Sequence, residues 1–150
     1  PIYVFAAVCI VAAITLKLTP FGRAIYAVGS NEEAAHLSGI NVSLITFGVY
    51  IIGGVLAALS GLIFLSRLSV GDPNSGLGLE LEAITIAVIG GASLFGGVGT
   101  VIGTIGGAMV LAIIANVLNL AGVSPFSQQV VKGAIIILAV LLEAGRKPRK

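Results

Sequence analysis

Charge is what this sequence has least of. Of its 150 residues, eight are Lys or Arg and six are Asp or Glu, whereas about a quarter of an ordinary soluble domain is charged. The few charges are also unevenly spread: none falls in Pro1–Leu16, Ala34–Ser66 or Ala83–Val131. The last of these stretches is 49 residues long, about 74 Å as one straight helix, against a bilayer hydrocarbon core of about 30 Å. A water-soluble domain of this size has no interior large enough to hide it. The scarcity therefore excludes a soluble enzyme, a nucleic-acid binder and a disordered chain, and it leaves an all-α, polytopic integral membrane bundle. The net charge of +2 is too small to call for a polyanionic partner. The single cysteine, Cys9, excludes an internal disulfide and a Cys-based metal site. In its apolar run it reads as a small buried hydrophobe.

Other absences narrow the chemistry. No Lys is followed by Ser or Thr, so the phosphate-cradling P-loop is missing. The Gly97, Gly99, Gly103 run has the wrong spacing for a dinucleotide fingerprint. His36 has no second His or Cys near it in the sequence, and it reads as a solvated or partner-facing polar residue. No metal and no cofactor is expected. No acid lies in the middle of an apolar run, which argues against a carboxylate proton relay. The first residue is Pro1, with no basic region ahead of an apolar run. No secretory signal is therefore expected, and the chain reads as a piece of a longer one.

What is present is apolar sequence in span-length blocks. Five crossings are expected, over about 2–16, 43–65, 81–94, 98–120 and 129–142. The third is short, so a broken, re-entrant or protein-embedded segment is expected there. Lys17 and Arg23 follow the first block, and Arg146, Lys147, Arg149 and Lys150 follow the last. Arg67 is the one basic residue in the connections after the second and fourth. Basic residues concentrate on the cytoplasmic side, so 17–41 and the C-terminal tail are assigned to the cytoplasm. The 67–80 and 121–128 loops are assigned to the outside. Glu82 and Lys132 then sit at outward span ends, where snorkelling to the interface explains them.

Glycine is abundant, with 21 residues, about twice average usage. Gly99, Gly103 and Gly107 form two GxxxG steps in the fourth block, and Gly53, Ala57 and Gly61 repeat the pattern in the second. In lipid, helices associate where small residues let backbones approach, so these six are expected to pack helices within the chain. Asn116, Asn119 and Gln128 are polar enough to line a pathway, though helix–helix hydrogen bonds explain them equally well.

The 17–41 segment carries more structure than a connector needs. Gly22 to Val28 can form a short helix that Gly29 ends. Ser30 stands three residues before Glu33, a capping-box spacing that starts a second helix at Asn31. Glu32 and Glu33 lie in its first turn, where the helix dipole favours anions, and Gly39 terminates it. The expected product is a pair of surface helices with an exposed patch of Ala34, Ala35 and Leu37, suited to docking a partner.

The run GRAIYAVGSNEEAAHLSGIN from Gly22 to Asn41 resembles the coupling-helix motif of ribose-type ABC importer permeases. Arg67-Leu68, Asp72-Pro73, Gly76-x-Gly78-x-Glu80-Leu81-Glu82-Ala83-Ile84 and Gly90 to Thr100 resemble the external loop, the following span and its inner end in that family. Glu82 stands where the family often has Asp. The resemblance covers essentially the whole chain and corresponds to the C-terminal half of the family's members. Branched-chain amino-acid permeases share the fold, usually with an Arg-rich stretch before the acidic pair; Ile25-Tyr26-Ala27-Val28-Gly29 favours the carbohydrate branch.

The resemblance implies a non-catalytic transport subunit in the bacterial inner membrane, importing a monosaccharide such as ribose. The implied partners are an ABC ATP-binding subunit, a periplasmic or extracellular sugar-binding protein and a second permease subunit. Coupling to the ATPase would involve Gly22, Arg23, Gly29, Asn31, Glu32, Glu33, Ala34, Ala35 and Gly39. Arg67, Asp72, Glu80 and Glu82 would face the binding protein, although ordinary loop charges would look the same. Closure of the ATPases on ATP would move the coupling segment and tilt the spans. Two other classes stay open at this point: an ion-coupled carrier using Glu82 and Lys132, and a membrane scaffold built on Gly-rich packing.

Overall fold

The computed structural model describes residues 2–68, 76 and 78–145. Among them all regular structure is helical: α1 Ile2–Leu18, α2 Pro20–Ser30, α3 Glu32–Leu37, α4 Val42–Leu68, α5 Leu79–Ile89, α6 Val101–Leu120 and α7 Pro125–Gly145. The chain falls into two compact units, Pro1–Leu77 and Gly78–Lys150.

In the first unit, α1 ends because Thr19 precedes a proline. A following proline ring crowds the α region of the residue before it, and Thr19 is extended at φ −98°, ψ 153°. Pro20 then occupies the first turn of α2, where its missing N–H costs nothing. The two helices consequently meet at 73°. Asn31, extended at φ −161°, ψ 106°, separates α2 from α3. α4 follows with 27 residues, about 40 Å of helix. No residue in its most apolar window is buried within the chain, which suits a lipid-facing helix and would be untenable in water.

The second unit is centred on its shortest helix. α5 has 11 residues and packs against both α6 and α7. Gly90 abuts Gly103, and the Ile86 carbonyl abuts Gly107 one turn further along. Residues earlier in one helix thus meet residues later in the other, so α5 and α6 run antiparallel. Thr85, Val88 and Leu111 are buried within this unit. The Thr85 hydroxyl is satisfied by donating to the Leu81 carbonyl at 2.6 Å, the usual i−4 solution for a buried Thr in a helix.

Several expected boundaries shift. The block read as one segment over 81–94 is helical only to Ile89. There Gly90 and Gly91, the latter at φ +82°, turn the chain. α6 begins at Val101 rather than 98, because the Thr100 side chain caps it by accepting from the Gly103 N–H at 3.0 Å. Gly99 therefore lies in the preceding loop, outside the helix that carries Gly103 and Gly107. α7 starts at Pro125 rather than 129. By length and composition Val42–Ser66 and Val101–Leu120 can each cross a membrane, and α1 with α2 passes the same test as a bent pair. The architecture is that of a helical membrane protein.

Candidate functional site

The nine residues singled out between Gly22 and Gly39 fall on one continuous piece of structure: α2, α3 and the turns that bound them. Each junction in this piece is held by a side-chain oxygen. Thr19 serves two helices with one hydroxyl. It donates to the Thr15 carbonyl at 2.6 Å and accepts from the Gly22 N–H at 3.1 Å. The first bond uses a carbonyl near the end of α1; the second uses one of the N–H groups that a helix start leaves unpaired. Asn31 accepts from the Ala34 N–H at 2.9 Å, and Asn41 accepts from the Leu44 N–H at 3.1 Å. They cap α3 and α4 in the same manner.

α2 is gripped on two sides. Gly22 is buried, and a Cβ on it would collide with the Thr15 and Leu16 carbonyl oxygens, so α1 and α2 touch backbone to backbone. On the other side, a Cβ on Gly48 of α4 would stand 3.0 Å from the Phe21 ring. Arg23 is exposed on α2. Glu32 and Glu33 are exposed in the first turn of α3. α3 closes through Gly39 at φ +82°, a left-handed turn that a side chain would strain. The Gly39 N–H donates to His36 O at 3.0 Å and the Ile40 N–H to Ala35 O at 3.1 Å.

Three expectations for this segment are corrected. Gly29 does not end the first helix, which starts at Pro20 and runs through Gly29 to Ser30. Ser30 is not the cap of the second: its hydroxyl donates back to Tyr26 O at 2.8 Å, and Asn31 does the capping. The small-residue patch is also divided. Ala35 is only 4% exposed whereas Leu37 is 82% exposed, because successive residues of a helix point about 100° apart.

The second group of candidates is scattered by the structure. Glu82 on α5 accepts from Lys132 on α7 at 3.0 Å, with their side chains 31% and 27% exposed. From the sequence the two are explained as snorkelling residues or, in the carrier alternative, as a relay; the structure makes them an ion pair that ties α5 to α7. Glu80 is exposed in the first turn of α5. Arg67 lies in the last turn of α4, with its side chain outside the described residues, and Asp72 is outside them altogether.

Of the six small residues assigned to packing, Gly103 and Gly107 lie against α5, and Gly99 lies beside Ala92. Gly53, Ala57 and Gly61 are exposed on α4, and the two glycines have open space where a Cβ would be. Thr19, Phe21, Gly48 and Gly90 were not singled out one by one from the sequence. The Thr19-Pro20 pair is a readable helix-start signal. Nothing local announces that Phe21 meets Gly48 or that Gly90 meets Gly103. Asn119 and Gln128 are joined by a 3.0 Å hydrogen bond from the Gln128 amide.

Residues 2–140 match the family model described as branched-chain amino acid transport system / permease component. The chain is 47% identical over 143 residues to the ribose import permease protein of Haemophilus influenzae, covering 95% of this chain and 44% of that protein. It is 43% identical over 149 residues to the xylose transport system permease protein of the same organism, covering 99% of this chain and 40% of the relative. The Bacillus subtilis ribose import permease protein is 48% identical over 130 residues. The chain thus spans less than half the length of these relatives. No solved structure matches it.

Proposed function

The chain belongs to the family of branched-chain amino acid transport system permease components, and on that premise we propose that it forms part of the membrane pathway of an ATP-driven monosaccharide importer. The observation that carries the sugar reading is the 47% identity, over 95% of the chain, to a protein named as a ribose import permease. The identity to a xylose permease supports the class of solute rather than one sugar. In this reading the chain corresponds to the C-terminal part of such a permease. In it α4 and α6 each cross the membrane, and the α2–α3 segment and the C-terminal tail lie in the cytoplasm.

ATP is hydrolysed on a separate ATP-binding subunit, and that subunit docks on Gly22–Gly39. Two exposed carboxylates on a short, capped helix pair supply a firm surface for a partner bearing basic groups. A sugar-binding protein delivers solute from the outside, and a second permease subunit completes the pathway. The family description names amino acids as the solute, so the branched-chain reading is kept as the alternative. Competition separates them: uptake of labelled ribose or xylose by the assembled transporter is expected to be blocked by unlabelled pentose and untouched by leucine. The reverse result would replace the sugar assignment. For the docking surface, Glu32→Lys with Glu33→Lys is expected to abolish co-purification of the ATP-binding subunit. Unchanged assembly and unchanged solute-stimulated ATP hydrolysis would remove the coupling role from this segment.

A further inference from the structure

The α2 helix does more than present a docking face, because it is held between two long helices by close contacts. On one side Gly22 puts the backbone of α2 against the Thr15 and Leu16 carbonyls of α1. On the other, the Phe21 ring lies where a Cβ on Gly48 would stand 3.0–3.1 Å from it. Phe21 and Gly22 are adjacent in sequence, so one turn of α2 grips both neighbours. The Thr19 hydroxyl, bonded to Thr15 O and Gly22 N–H, fixes the angle at which α2 leaves α1.

Most side-chain contacts absorb a small displacement by changing rotamer. A ring against bare backbone has few rotamers to offer, and a backbone-to-backbone contact has none. Gly48 lies in the second turn of a 27-residue helix, so a push delivered there is carried along the remaining length of α4, about 30 Å.

We propose that Phe21 and Gly48 are positioning residues for transport: their contact is the joint through which movement of the α2–α3 segment is passed to α4. This rests on the reading that an ATP-binding subunit docks on that segment. α3 also packs on α4; the Phe21 contact seats a side-chain ring on glycine backbone.

The test uses the permease assembled with its ATP-binding subunit, in a Cys9→Ser background. Spin labels are placed through Ser30→Cys at the end of α2 and Ser60→Cys in α4, both exposed positions. In the otherwise native protein, the label separation is expected to be the same in the nucleotide-free state and after ATP–vanadate trapping, since the two helices move together. With Phe21→Ala, the separation changes on trapping while ATP hydrolysis continues. Ribose or xylose moved per ATP then falls about tenfold, within the 5–150-fold range of ordinary inter-site coupling.

Gly48→Ala, which presses a methyl on the ring, acts in the same direction. Phe21→Leu combined with Gly48→Ala restores coupling by conserving volume. If Phe21→Ala fails to assemble, Phe21→Leu and Gly48→Ala alone carry the same expectations. A merely structural contact would lower hydrolysis and uptake together and leave their ratio fixed, which overturns the proposal. So does a native label separation that changes on trapping. Failure of the docking reading looks different: Glu32→Lys with Glu33→Lys would then leave assembly and hydrolysis unaffected.

Discussion

The units Pro1–Leu77 and Gly78–Lys150 are both built of apolar helices, but their helices meet by different means. In the second unit, α5 and α6 meet as bare backbone, with Gly90 against Gly103 and the Ile86 carbonyl against Gly107. Nothing can be inserted there without moving a main chain. In the first unit α1 and α2 also meet backbone to backbone at Gly22, but the remaining junctions of the short helices are held by caps at Thr19, Asn31 and Asn41 and by one ring seated on Gly48. Each of those contacts is a single side chain. Tolerance to substitution follows the kind of contact: backbone packing in lipid rejects any added atom, whereas a capped junction loses about one hydrogen bond when its side chain is changed.

The largest effect expected from this contrast is at Gly103 and Gly107. Replacing either by Leu should cost at least about 3 kcal/mol, at the upper end of overpacking penalties, and appear as loss of the folded protein in detergent melting curves. Gly53→Leu and Gly61→Leu on α4 meet open space within the chain, and should change the melting of the isolated chain by less than about 0.5 kcal/mol. Equal effects at the two pairs would break the comparison.

Next comes the ion pair that ties α5 to α7 in the second unit. Glu82→Ala or Lys132→Ala should destabilise by about 1–2 kcal/mol, less than a fully buried pair because both groups keep some solvent contact. Glu82→Lys combined with Lys132→Glu should recover most of that loss in the same assay. No recovery would mean that the positions, rather than the pairing, matter.

Thr19→Ala should cost about 1 kcal/mol by removing a helix cap, while Thr19→Ser should stay within a few tenths. Amide exchange at Gly22 reads this directly. The smallest effect separates two adjacent residues. Asn31→Ala should loosen the start of α3 by about 0.5 kcal/mol, seen as faster exchange of the Ala34 amide. Ser30→Ala, whose hydroxyl only returns to Tyr26 O, should leave that exchange unchanged.

The helices themselves were largely legible, since charge-free blocks of span length and the punctuation around Asn31 and Gly39 are local signals. Boundaries failed where two signals competed. Ser30 and Asn31 are both good caps, and the spacing to Glu33 favoured the wrong one because the conformation that decides between them is not written in residue type. The run from Gly97 to Gly107 looked like one glycine-striped helix. Thr100 is extended at φ −142° and caps α6, which leaves Gly99 in the loop. The proposed coupling residues could be named from the sequence because they are contiguous. The direct contact between Glu82 and Lys132 was not legible because the two residues are 50 positions apart.

By itself the sequence determined that this chain partitions into helices that tolerate lipid, because fourteen charges among 150 residues leave no other solvent for the apolar surface. It also determined where a polar, well-capped segment interrupts them, since caps act over three or four residues. Only the tertiary structure decided which glycines touch backbone and which face open space, which charge answers which, and that Phe21 seats on Gly48. Those outcomes depend on the angle and register at which helices cross, and residues far apart in the chain set them jointly. No local pattern encodes a contact whose two halves are separated by a turn of geometry.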